Sequence, residues 1–183
     1  MSDKRGVLYI ATCATPAAAH IGKLVDLAQQ AGWTTCVLVT PNALNFVDVP
    51  ALEQRTGFPV RCHYRRPEEP SPFPKADAMI LAGASFNTLN KWAQGITDTL
   101  VLSTVAEAVG LNIPVVLLPF FNDALGKHPA WRRSVATLRE MGVTVLVSPE
   151  IYEPHPASRS SEVLQHYPWR MALEAIAERL GEV

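Results

Sequence analysis

Short apolar runs separated by helical patterns constrain this chain more than any other feature. Gly6–Thr12 (GVLYIAT), Thr34–Thr40 (TTCVLVT), Phe58–Cys62, Ala78–Ala82, Pro114–Leu118 (PVVLL) and Val143–Val147 each have the length of one strand. They read as continuous apolar stretches, the pattern of strands buried on both faces of a parallel sheet. Helical periodicity fills the intervals: Pro16 to Gln30, a stretch ending at Gln54, Phe86 to Gln94, Thr99 to Val109, Ala130 to Met141 and Ser161 to Leu180. Alternation of this kind predicts a three-layer α/β domain with a six-stranded parallel sheet and right-handed crossovers.

Composition narrows the function. A chain of 183 residues suits one domain spanning 1–183, and a formal net charge of −1 favours neither nucleic acid nor an anionic membrane as partner. No apolar run approaches the roughly 18 residues of a membrane span. The three cysteines, Cys13, Cys36 and Cys62, are odd in number and fit no zinc spacing, and no leader precedes Gly6. These features lead us to expect a cytoplasmic protein with reduced thiols and no metal.

In a parallel sheet the site sits beyond the carboxyl ends of the strands. Here those loops are Thr12–Pro16, Thr40–Asn45, Gly83–Asn87 and Pro119–Asn122, rich in Thr, Ser and Asn. They describe a polar, nearly uncharged pocket. The first turn lacks the G-x-G-x-x-G fingerprint and no acidic residue ends the second strand, which disfavours ordinary NAD binding. Two readings of Thr12 and Thr15 stay open: their hydroxyls hold a phosphate, or they cap the helix that Pro16 begins. Asn87 likewise either faces the pocket or caps its own helix. Cys13 reads as a small buried side chain, and Phe120, Phe121 and Trp131 as core or as a pocket wall. Tyr64–Lys75 is a proline-rich, solvated loop carrying Arg65 and Arg66, and His63, His128 and His155 fall in loops.

The stretch from Ala76 to Val101 carries a resemblance. Gly83-Ala84-Ser85-Phe86-Asn87-Thr88 resembles the PASANT motif of the homo-oligomeric flavin-containing cysteine decarboxylases, within the wider FMN-binding flavoprotein superfamily. Ala93-Gln94-Gly95-Ile96-Thr97-Asp98-Thr99-Leu100 is similar to that family's A-x-G-I-A-D-N-L segment. Thr40, Ala43 and Phe46 match its T-x-x-A-x-x-F element, and Pro119-Phe120-Phe121-Asn122 resembles the start of its P-x-M-N motif.

The resemblance implies a Rossmann-like, flavodoxin-like αβα fold and FMN at a subunit interface, in a trimer or a multiple of trimers. It places Thr12, Ala14 and Thr15 near the phosphate, and Thr40 beyond the second strand. Ala84, Ser85 and Asn87 fall at the flavin, with Asp98 and Thr99 near the interface. Asn87 corresponds to the amide that holds the substrate carboxylate, and Asn122 to the second motif's asparagine. Residues 148–161 take the place of the substrate-closing flap, ahead of a C-terminal helix over 162–181.

This sequence also departs from the family pattern. The catalytic histidine position before Ala76–Asp77 falls near Glu69 and Pro70, so His63 is the nearest candidate base. Phe121 replaces the expected methionine, and no cysteine follows Cys62 to match the one used in phosphopantothenoylcysteine decarboxylation. The expected activity is FMN-dependent oxidation of a cysteine-like thiol substrate, small molecule or peptide, with loss of carbon dioxide. The alternatives are a flavin-binding or redox protein without that reaction, a flavin prenyltransferase-like enzyme, or a cofactor-free assembly module.

Overall fold

Five parallel strands form the centre of the computed structural model, which describes residues 5–181. They are β1 (Gly6–Thr12), β2 (Trp33–Val39), β3 (Ala78–Ala84), β4 (Val115–Pro119) and β5 (Thr144–Val145), in spatial order β2-β1-β3-β4-β5. That order is flavodoxin-like, and the direction of winding reverses between β1 and β3. Register follows from the apolar runs: Leu8 faces Thr35 and Ala78, and Ile80 faces Val116. All seven residues of β3 are buried, as a central strand covered on both faces requires.

The sheet has five strands, not six. Phe58–Cys62 runs beside β2 but forms only one bridge, with Arg61 N–H donating to Val37 O (3.1 Å) and Arg61 O accepting from Val39 N–H (2.8 Å). Two of its other backbone donors are spent elsewhere. Phe58 N–H goes to Thr56 Oγ1 (3.2 Å), Val60 N–H goes to Glu53 Oε1 (2.9 Å), and Pro59 has none to give. The last strand is only two residues long, and just beyond it Leu146 N–H still donates to Leu117 O at 2.9 Å.

One helix layer contains α1 (Gly22–Gln30), α2 (Val49–Thr56) and α8 (Trp169–Leu180), packed on Leu8, Ile10, Val37 and Ile80. The other contains α3 (Phe86–Ala93), α4 (Leu100–Gly110) and α6 (Pro129–Glu140), packed on Ala11, Leu38, Met79 and Leu117. A short α5 (Asp123–Gly126) precedes α6. The first crossover begins as a 3₁₀ turn, Pro16–His20, before α1. The C-terminal region expected as one helix is two, α7 (Ser160–Gln165) and α8, separated around Tyr167 and Pro168. Pro168 cannot supply the N–H that a continuous helix needs there.

The proline-rich loop is anchored at both ends, by Tyr64 Oη donating to Thr99 O (3.2 Å) and by Tyr9 Oη donating to Pro74 O (2.7 Å) beside Phe73. Phe73 is 5% exposed and meets the rings of Tyr9 (5.4 Å) and Phe58 (6.0 Å) edge to face. Among the described residues no helix is long and apolar enough to cross a membrane.

Candidate functional site

The carboxyl ends of β1, β2 and β3 open onto a cleft of about 330 Å³, within the range of small-ligand sites. Ala14 comes from the turn after β1, and Thr40 and Asn42 from the turn after β2. Ser85 and Asn87 come from the start of α3, and Lys91 lies one turn further along the same face. Asp98 and Thr99 close the cleft from the segment before α4. Lys91 and Asp98 are the charged residues of the lining, and they form an ion pair with each other. The cleft is therefore polar, close to neutral, and built of hydroxyls and amides. A groove of about 310 Å³ involving Tyr9, Lys75, Leu111 and Ile113 is similar in size, but it lies by the residues that lead into β3 and β4, away from the strand carboxyl ends.

Local chemistry explains which side chains face the cleft. Ser85 caps α3, its Oγ accepting from Thr88 N–H at 3.2 Å. Asn87 is thereby relieved of capping and stands exposed, and its side chain makes no hydrogen bond among the described residues. Thr99 caps α4 by accepting from Leu102 N–H at 3.3 Å. Thr15 does not cap the turn it precedes; its hydroxyl donates to Gly83 O at 3.1 Å. That bond joins the first turn to the β3–α3 turn.

Thr12, Thr15 and Ala84 lie behind the cleft wall, all buried. Thr12 Oγ1 is fully enclosed and has no hydrogen-bond partner. Gly83 adopts φ +70°, a left-handed conformation. The position equivalent to the proline of PASANT thus holds a backbone that proline cannot adopt, since its ring fixes φ near −65°. A Cβ at Gly83 would also approach Thr15 Oγ1 to 3.0 Å and Thr12 Oγ1 to 3.1 Å. Glycine permits the turn and its close seat on the first loop. Cys13 is buried beside Ser85 and Thr88; burial pushes its thiol up, and hydrogen bonding to those residues offsets the rise only in part.

The other two residues expected in catalysis stand apart. His63 is exposed and outside the cleft lining. Asn122 caps α5, its Oδ1 accepting from Leu125 N–H at 3.0 Å. His128 also serves as a cap, with Nδ1 accepting from Ala130 N–H at 3.1 Å. His155, expected in a solvated loop, is 6% exposed. Its ring lies 3.4 Å from Tyr152 Oη and 3.2 Å from Ser160 Oγ, and burial lowers its pKa.

Two tyrosines brace the site, and both were missed from the sequence because their partners are backbone groups. Tyr167 Oη accepts from Gly83 N–H (3.1 Å) and sets its proton between Leu118 O (3.0 Å) and Pro119 O (2.9 Å). It ties the β3 turn to the end of β4. Tyr152, in the segment over 148–161, accepts from Phe121 N–H (2.8 Å) and donates to Phe121 O (2.9 Å). Proton loss from either phenol is disfavoured by burial.

Comparison with known proteins places this geometry. The chain is 25% identical to a solved FMN-dependent cysteine decarboxylase, TvaF from thioviridamide biosynthesis, with TM-score 0.71 over 93% of this chain and 98% of that one. It is 30% identical over 129 residues to a Streptococcus mutans protein named "Probable phosphopantothenoylcysteine decarboxylase", covering 66% of this chain and 72% of that protein. The phosphopantothenoylcysteine decarboxylase of Mus musculus is 42% identical over 67 residues, which span 37% of this chain and 32% of the mouse protein. With the Flavoprotein family model matching residues 1–167, on a flavodoxin-like sheet with a polar cleft at its switch point, the chain belongs to the Flavoprotein family.

Proposed function

We propose that this protein binds FMN in the cleft and uses it to decarboxylate a cysteine-like thiol carboxylate. The observation that carries the reading is Asn87: exposed, free of capping, and set between hydroxyl-bearing loops on one wall of the cleft. The three similar decarboxylases and the family match support it. The cofactor fits the donor set. Among the described residues the cleft lining holds no cation beyond Lys91, which is paired with Asp98, so a phosphate would be held by hydroxyls and the unpaired N–H groups of the first turn of α3, as at other helix N-termini. Ala14, Thr40, Ser85, Asn87 and Thr99 would hold it from the wall. Thr12, with its orphaned hydroxyl, and Thr15 and Ala84 would shape the floor. Asp98 would set the outer rim through its pair with Lys91.

FMN, when bound, supplies a two-electron acceptor for the thiol. The protein supplies orientation. The Asn87 amide donates to the substrate carboxylate and holds it without a net charge that would oppose its departure as carbon dioxide. The thiol proton needs a base, and no histidine of this chain lines its own cleft. The reading therefore has His63 act across a subunit boundary, in a homo-oligomer, a trimer or a multiple of one. Leu44, Phe46 and Ile96 support that assembly: they are exposed, and they lie on the loops that also supply Asn42 and Asp98. Asn122 would act from beside this site, with its Nδ2 left over from capping. Residues 1–183 act as one domain, with 148–161 as the cover and 162–181 as the closing helical segment.

Purified protein should be yellow, or should take up FMN with a rise in thermal stability. Anaerobic cysteinyl peptides should then bleach the flavin and release carbon dioxide. At saturating FMN, Asn87→Asp should lose turnover, because a second negative charge repels the carboxylate. Colourless protein that FMN does not stabilise would refute the reading. Bleaching without carbon dioxide would favour the second reading, a flavin redox protein, to which the lack of a histidine in the lining points.

A further inference from the structure

Two departures from the family motifs touch each other. Phe86 stands where PASANT has alanine, and Phe121 where P-x-M-N has methionine. Their rings meet edge to face at 5.7 Å. Phe86 also meets the His128 ring at 5.7 Å, and Phe121 meets Trp131 at 4.7 Å. One chance replacement would be a packing detail; two that meet redefine a surface.

The surface flanks the cleft at the start of α3. Phe86 lies between Ser85 and Asn87, both in the cleft lining, and about 100° around the helix from Asn87. Asn87 turns to the cleft, while Phe86 turns to the loop after β4. Phe121 and Trp131 are buried beneath, whereas Phe86 is half-buried and His128 exposed, so aromatic faces remain accessible at the flank. Phe121 is locked in place at both backbone polar groups by Tyr152. Among the described residues no Lys or Arg stacks on the rings of the cluster; the cation–ring contact found is Arg61 over Phe73, on another part of the fold. Lys127, adjacent in sequence to His128, points to solvent and pairs with Asp123 at 3.6 Å.

We propose that the Phe86–Phe121 pair, with His128 and Trp131, is a specificity determinant that seats an aromatic or flat apolar group neighbouring the thiol carboxylate held by Asn87. The substrate class is then a cysteine acid with an aromatic neighbour, such as a peptide ending in Phe-Cys, in preference to one carrying a phosphorylated acyl arm. This inference rests on the decarboxylase reading for the thiol, but the subsite itself can be measured without turnover.

The test uses FMN-loaded protein and two series of N-acetylated dipeptide acids. Binding of the redox-inert Phe-Ser, Gly-Ser and Asp-Ser acids is measured by calorimetry. Anaerobic flavin bleaching is measured with the matching cysteine acids. We expect Phe-Ser to bind at least about tenfold more tightly than Gly-Ser, the size of discrimination an apolar pocket provides, and Asp-Ser to bind most weakly. F86A and, independently, F121M should each bring the Phe-to-Gly ratio towards unity, with an unchanged FMN spectrum confirming the fold. Equal binding of Phe-Ser and Gly-Ser, or a preference that survives both substitutions, overturns the subsite. A Phe-Ser preference lost in F86A, without bleaching by any cysteine acid, leaves the subsite standing and refutes decarboxylation instead.

Discussion

Removing one hydroxyl, by Tyr167→Phe, tests whether the β3 turn is held from the far end of the chain. Tyr167 is 4% exposed, and its ring packs on Trp169 at 4.6 Å and Phe120 at 5.5 Å, contacts that phenylalanine keeps. What disappears is the acceptor for Gly83 N–H and the donor to Leu118 O and Pro119 O. A buried N–H left without a partner costs about 1–3 kcal/mol, and one shared donated bond adds about 1 kcal/mol. The sum is about 2–4 kcal/mol. At roughly 2–4 °C per kcal/mol for a chain of this size, Tm should fall by about 4–16 °C. Tyr9→Phe is the control. Its hydroxyl donates to Pro74 O at 2.7 Å near the surface, where water can replace it, and its loss should cost about 1 kcal/mol or less. Urea unfolding of both variants, with unchanged slope, isolates the difference in stability. If the two midpoints fall equally, Tyr167 does not hold the turn and the argument fails.

Further outcomes follow from the same geometry. Gly83→Ala should lose about 1–3 kcal/mol of stability from its φ of +70° and its approach to Thr15 and Thr12, and should weaken FMN uptake in a titration. Thr12→Val removes a buried hydroxyl without a partner, so apo stability in urea should hold or rise, while weakened FMN binding would show that the hydroxyl serves the ligand. Lys91→Met should cost no more than about 1 kcal/mol, because its pair with Asp98 is partly solvated. His155 is held neutral by burial, below its ordinary value of 6.5, with Asp123 opposing and Arg159 reinforcing that shift. The unfolded chain therefore binds the proton first: stability is full above about pH 6.5 and falls as pH drops towards the folded value. His155→Gln should flatten that slope in urea midpoints taken from pH 7.5 to 5.

The strands and helices were legible in the sequence because each answers to its own few residues. Burial on both faces demands an unbroken apolar run, so Gly6–Thr12 and the start of β3 are visible without any partner. Ser85 and Thr99 sit where helix starts need an oxygen, and both cap. The strand near Phe58 failed for a reason the run cannot display. Whether its N–H groups reach the sheet or are taken by Thr56 and Glu53 depends on how α2 docks.

The candidate site divides along the same line. Its position followed from strand order and loop composition, and its family from short motifs whose residues are local to one turn. Only the tertiary structure could separate Thr40, Ser85, Asn87 and Thr99 on the cleft wall from Thr12 and Thr15 behind it, because burial is a property of neighbours. It alone showed that Tyr152 and Tyr167 reach 31 and 84 residues back to main-chain groups, which carry no sequence identity to betray the contact. It alone brought Phe86 against Phe121. Local hydrogen bonding and hydrophobic period are written along the chain; which side chain meets which backbone, and which hydroxyl is left unpaired, is decided when the layers pack.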